Sequence, residues 1–150
     1  MDGSTQLKIA ATLSFIAALL HVAIVIGGPA WYRFFGAGEG MAQLAKSGSM
    51  QPIIITLGIA VILFVFGLYA LSGAGVIVKL PLLKLGLVFI TAIYLLRGIA
   101  GLVLPFVSKH PAISQNSTTF WLVSSVICCV FGLFYFLGTK NSWEGLSITQ

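Results

Sequence analysis

The chain has 150 residues, of which 59% are hydrophobic and only 7% charged, and its mean hydropathy is +1.09. A soluble domain carries roughly a quarter charged residues, so a water-covered surface cannot be built here, and the chain reads as one integral membrane domain over residues 1–150. The net charge of +5 comes from eight cations scattered singly; without a basic run there is no footprint for nucleic acid, and the excess suits anionic lipid headgroups.

Four apolar stretches approach the ~20 residues that a helix needs to cross ~30 Å of hydrocarbon. They run over residues 9–26, 53–71, 82–107 and 120–137, and none contains an acidic residue. Lipid requires backbone groups to be satisfied within the segment, which makes each a helix. The expected fold is therefore all-α: a four-helix transmembrane bundle with a longer, partly interfacial loop between the first two helices. The first stretch is too long for a signal-peptide core and has no A-x-A cleavage pattern, so it is expected to stay in the mature protein. Gly27-Gly28-Pro29 is expected to end the first helix, because proline cannot continue it.

The loop at residues 29–52, PAWYRFFGAGEGMAQLAKSGSMQP, opens with the aromatic cluster Trp31, Tyr32, Phe34 and Phe35, the composition of an interfacial belt. The stretch Glu39 to Lys46 fits a short helix with Glu39 in its first turn, where the helix dipole favours an anion. This loop either lies on the bilayer surface or folds inward as a lid. Ser72-Gly73-Ala74-Gly75 closes the second span, Pro81 leads into the third, and a polar run from Ser108 to Thr119 precedes the fourth. An even number of spans puts both termini on one side. With that side cytoplasmic, Lys8, Lys79, Lys84 and Lys140 lie inside, and Arg33, Lys46 and Lys109 outside, a bias that favours N-in, C-in.

The third span carries Arg97 in TAIYLLRGIAGLV. At 1.5 Å per residue, Arg97 lies roughly 22 Å from Leu82 and His21 roughly 18 Å from Ile9, so both belong to the half of the membrane nearer the long loop. Glu39, Gln51, Thr56, Ser124 and Ser125 fall toward the same end. An unpaired arginine at a helix centre costs about 3 kcal/mol on insertion scales, so compensation is expected. Three readings of Arg97 stand: snorkelling to phosphates, a structural pair with Glu39 or backbone carbonyls, and a ligand site. Tyr94 precedes Arg97 by three residues on a shared helix face with Thr91, and Gly98 and Gly101 open room for a neighbouring helix. His21 is either a satisfied bundle histidine or a ligand contact. The candidate ligand-binding residues are His21, Glu39, Tyr94 and Arg97.

No catalytic residue, metal site or cofactor is expected. His21 and His110 cannot both ligate an intramembrane haem, since His110 precedes Pro111 in a polar loop. Cys128 and Cys129 are adjacent, without C-x-x-C spacing, and read as small apolar filler. Gly36-Ala37-Gly38-Glu39-Gly40 lacks the lysine-serine ending of a phosphate loop, and no span holds the carboxylate of proton-coupled export.

A histidine late in the first helix (LLHVAIVIGG), an aromatic-glycine loop (WYRFFGAGEG) and a glycine-bearing second helix resemble the DoxX-like group of small bacterial four-helix membrane proteins. The resemblance covers about the first hundred residues. It implies the topology, a bacterial inner-membrane location and lipid or quinone neighbours, and it transfers no functional residue. Two functions follow. One is a polar intramembrane site that binds an anionic or amphiphilic small molecule, a lipid headgroup or a quinone. The alternative is an accessory or assembly subunit of a larger membrane complex or a homo-oligomer. An enzyme ranks third.

Overall fold

The computed structural model describes residues 1–114 and 116–147, without the side chain of Ala112. The described residues are helical and contain no strand. Four helices are long and apolar enough to cross a membrane: α1 (Gly3–Phe34), α3 (Gln51–Gly73), α4 (Leu83–Val107) and α6 (Thr118–Asn141). Two short helices join them, α2 (Glu39–Lys46) and α5 (Pro111–Ser114). The expected all-α bundle is thus the fold, and the chain is a multi-pass membrane protein.

α1, α3 and α6 extend past their apolar stretches, and α1 and α6 begin at side-chain caps. The Asp2 carboxylate accepts from the Thr5 backbone N–H at 3.2 Å at the start of α1, and the Ser117 hydroxyl accepts from Phe120 N–H at 3.1 Å at the start of α6. Both satisfy donors that have no intrahelical partner.

The expected stop at Gly27-Gly28-Pro29 is corrected: the helix breaks there and restarts. Gly28 takes φ 65°, ψ −151°, and the chain then turns helically through Phe34. Proline is well tolerated in the first turn of a helix, where its missing N–H is not needed, so the motif that ends one segment also begins the next. The restarted turn closes at Gly36, whose φ of +74° lets Gly36 N–H reach Arg33 O and Ala37 N–H reach Tyr32 O. That pair of bonds is a Schellman cap. It re-aims the chain into α2, which begins at Glu39 as the sequence suggested.

The helices run up and down in sequence order. α1 packs mainly along α3, α4 along α6, and α1 also meets α6. Small residues set the closeness of these seams. A Cβ on Gly98 would come within 3.1 Å of both Cys129 N and Ser125 O, backbone atoms of α6, so α4 and α6 touch main chain to main chain there. The core gathers Leu7, Phe66, Leu87, Tyr94, Phe131 and Tyr135. At its centre Ser14 Oγ is hydrogen-bonded to Tyr94 Oη at 3.2 Å and to Tyr135 Oη at 2.9 Å, tying α1, α4 and α6 together. A second, smaller cluster buries Ile24, Tyr32 and Ala42, which seats α2 against the end of α1.

Candidate functional site

Arg97 projects from α4 toward the first turns of α6. Its Nη2 donates to Ser124 Oγ at 3.2 Å and its Nη1 to Ser125 Oγ at 3.3 Å. Its guanidinium carbon stands 4.8 Å from the centre of the Trp121 ring, within cation–π range. Trp121, Ser124 and Ser125 recur at i, i+3 and i+4, so α6 presents all three on one face. Trp121 is itself fixed, because its Nε1 donates to Ile113 O of α5 at 3.0 Å. Ser124 in turn donates to Trp121 O at 3.2 Å. Gly101, one turn beyond Arg97 on α4, leaves the space that the guanidinium occupies; a Cβ there would collide with Arg97 Nη1 and Ser125 Oγ.

All these partners are neutral. A guanidinium has five N–H donors, and the protein engages two of them here. The pair with Glu39, one of the three readings of Arg97, does not form. Among the described residues the only ion pair is Arg33–Glu39. Arg33 Nε and Nη2 donate to the two Glu39 oxygens at 2.7 and 2.8 Å, and Gln43 Nε2 donates to Glu39 at 2.6 Å. The tight turn at Gly36 brings Arg33 and Glu39 together across six residues, and this local fork satisfies the carboxylate before Arg97 can. The hydrogen bonds from Arg33 and then Gln43 hold the Glu39 pKa down at about 2.

A groove of about 640 Å³ adjoins the cluster. Arg33, Phe34, Phe35 and Glu39 form one wall, and Phe120, Val123, Ser124 and Ile127 of α6 form the other. Ser124 therefore belongs both to the groove and to the Arg97 cluster. Val123 and Ile127 are about half exposed on the outward side of α6, which leaves the groove open to lipid.

The four residues singled out in the sequence are thus placed in three settings. Glu39 lines the groove, whereas Arg97 does not line it and is linked to it by the hydrogen bond to Ser124. Tyr94 is buried in the core, with its ring 5.5 Å from that of Tyr135. His21 stays on its own helix: Nδ1 lies 2.7 Å from Ala17 O. A carbonyl can only accept, so Nδ1 carries the proton, and Nε2 has no hydrogen-bond partner among the described residues. Neither His21 nor Tyr94 lines the groove. Trp121 and the Arg33 fork were missed. The i, i+3, i+4 pattern of Trp121, Ser124 and Ser125 was the available signal for the first, and the glycine-bounded turn between Arg33 and Glu39 for the second. Among the described residues, no three His, Cys, Asp or Glu side chains converge to hold a metal. No protein-family model matches the chain, and no curated protein or solved structure matches it either.

Proposed function

We propose that the Arg97 cluster and the adjoining groove bind an anionic or amphiphilic small molecule, a lipid headgroup or a quinone. The observation that carries this reading is the neutral company of Arg97: two hydroxyls and an indole face orient a cation without cancelling its charge. A structural arginine in a membrane is normally paired. Here the remaining donors stay available to a phosphate or a quinone carbonyl, and Phe34, Phe120, Val123 and Ile127 offer apolar surface to the attached chain. The Arg33–Glu39 fork borders the opening and suits a cover over the bound head. Under this reading Glu39 acts as part of the rim, while His21 and Tyr94 shape the bundle that holds α4 and α6 in place.

The same proposal places the protein in a bacterial inner membrane with both termini cytoplasmic, in keeping with the lysine bias and the DoxX-like pattern of the first hundred residues. The test is lipid and quinone analysis of protein purified in mild detergent. Wild type should carry an enriched anionic or quinone species, and Arg97→Leu should lose it while eluting as the same folded particle. A wild-type protein with no enriched small molecule would sink the binding reading. A reproducible crosslinked partner chain in native membranes would then favour the accessory-subunit alternative.

A further inference from the structure

At the opposite end of the bundle, α4 begins and α6 ends beside each other. Residues Lys84, Val88 and Thr91 recur at i, i+4 and i+7 and so share a face of α4. Phe136, Lys140 and Trp143 follow the same spacing out of α6. Between them lies a groove of about 400 Å³ lined by Val88, Thr91, Phe136, Thr139, Lys140 and Trp143. Its inner part is apolar and open sideways, since Val88 is 46% and Phe136 47% exposed. Its outer end is cationic. Lys140 is exposed and has no ion pair among the described residues. Lys84, just outside the lining, stands 4.6 Å over the Trp143 ring and donates one hydrogen bond to Ser147 Oγ at 2.7 Å, which leaves two of its N–H donors for a ligand. Glu144 lies next in sequence but pairs with neither lysine.

Thr139 gives an independent sign that this groove is not complete as protein alone. It is only 5% exposed, it lines the groove, and its Oγ1 has no hydrogen-bond partner among the described residues. A buried hydroxyl left unmatched is costly. The two lysines and the indole share the outer end, and the apolar wall runs inward from them over the seven residues from Lys84 to Thr91, roughly 10 Å of helix. That is the sequence of polarity along a phospholipid, from phosphate through ester to acyl chain.

We infer that this second groove binds one acidic phospholipid: its phosphate at Lys140 and Lys84, its glycerol-ester region at Trp143 and Thr139, and an acyl chain along Val88 and Phe136. This site is separate from the Arg97 cluster and does not depend on it.

The experiment is native mass spectrometry of the full chain from mild detergent, titrated with phosphatidylglycerol, phosphatidylcholine of equal chain length, or inorganic phosphate. The background carries Arg97→Leu, so that the first site is silent. Phosphatidylglycerol should bind one per chain, ahead of phosphatidylcholine. At about fivefold in affinity for each lysine near an anionic surface, K84Q/K140Q should lower binding roughly 25-fold. V88W keeps both charges, fills the acyl path and should also abolish retention. The double lysine variant changes exposed side chains and reads the proposal even where V88W fails to fold. Equal binding of both lipids, or unchanged phosphatidylglycerol binding in K84Q/K140Q, overturns the inference. Displacement of the lipid by millimolar inorganic phosphate, with no dependence on chain length, would identify a free-anion site and overturn it as well.

Discussion

Tyr94 and Arg97 sit three residues apart on α4, yet their polar groups are treated in opposite ways. The Tyr94 hydroxyl is enclosed, bonded to Ser14 and stacked near Tyr135, with partners drawn from α1 and α6. The Arg97 guanidinium lies at the bundle edge, steadied by neutral groups and without a counter-anion. The first arrangement is closed within the protein and serves packing. The second is open and, under the proposed function, orients a charge toward a ligand. Intramembrane polarity alone therefore does not mark a binding site; what marks it is polarity that the protein leaves unmatched.

Five changes break or sharpen that contrast. Tyr135→Ala empties a fully buried ring site and should cost about 3–5 kcal/mol, the range for large aromatic truncations in cores, read as a lowered unfolding midpoint in detergent. Ser14→Ala keeps the volume nearly constant but leaves two tyrosine hydroxyls unpaired, so about 1–3 kcal/mol is expected. Any anionic species bound at Arg97 should remain.

Gly101→Ala acts on the open side. The new methyl occupies the place of the guanidinium, and a loss of about 1–3 kcal/mol from overpacking should come with loss of the bound species. Arg97→Leu should remove that species with little loss of stability, because an insertion penalty of about 3 kcal/mol disappears along with two neutral hydrogen bonds. Loss of the core in Arg97→Leu would show that Arg97 is structural after all.

The smallest effect concerns the fork at the groove rim. Glu39 has its pKa lowered in the folded state, from 4.5 to about 2. A depressed carboxylate contributes stability that is fully present above its unfolded value and is lost as pH falls through the folded one. Glu39→Gln should therefore differ from wild type at neutral pH. The difference should close as pH falls from about 4.5 toward about 2, followed by pH-dependent thermal melts. Both partners are exposed, so the change is expected to be slight.

Much of the fold could be read from the sequence because lipid imposes one rule on every span. Apolar length predicted all four long helices, and Glu39 to Lys46 was recognisable as a short helix from its flanking glycines and charge placement. The kink at Gly28 was harder, since Gly-Gly-Pro punctuates a helix equally well as an end or as a beginning. Close approach of another helix followed from Gly98 and Gly101, but not that α6 is the helix. The partner of Arg97 did not follow, because depth along a helix was used in place of direction around it. Glu39 shares the right end of the bundle, but a tight turn hands it to Arg33. Ser14 and Tyr135 escaped notice because a hydroxyl in an apolar span looks the same in sequence whether it faces lipid or a partner.

The most direct test is nitrogen NMR of the Arg97 side chain in delipidated, detergent-embedded protein. Phosphatidylglycerol, a short-chain quinone and phosphatidylcholine would be added in turn. An anion or quinone seated at the guanidinium should shift the Arg97 side-chain nitrogens in a saturable way, with Arg33 far less affected and phosphatidylcholine weaker. Arg97 resonances that stay fixed throughout, or that respond equally to every amphiphile, would contradict the assignment.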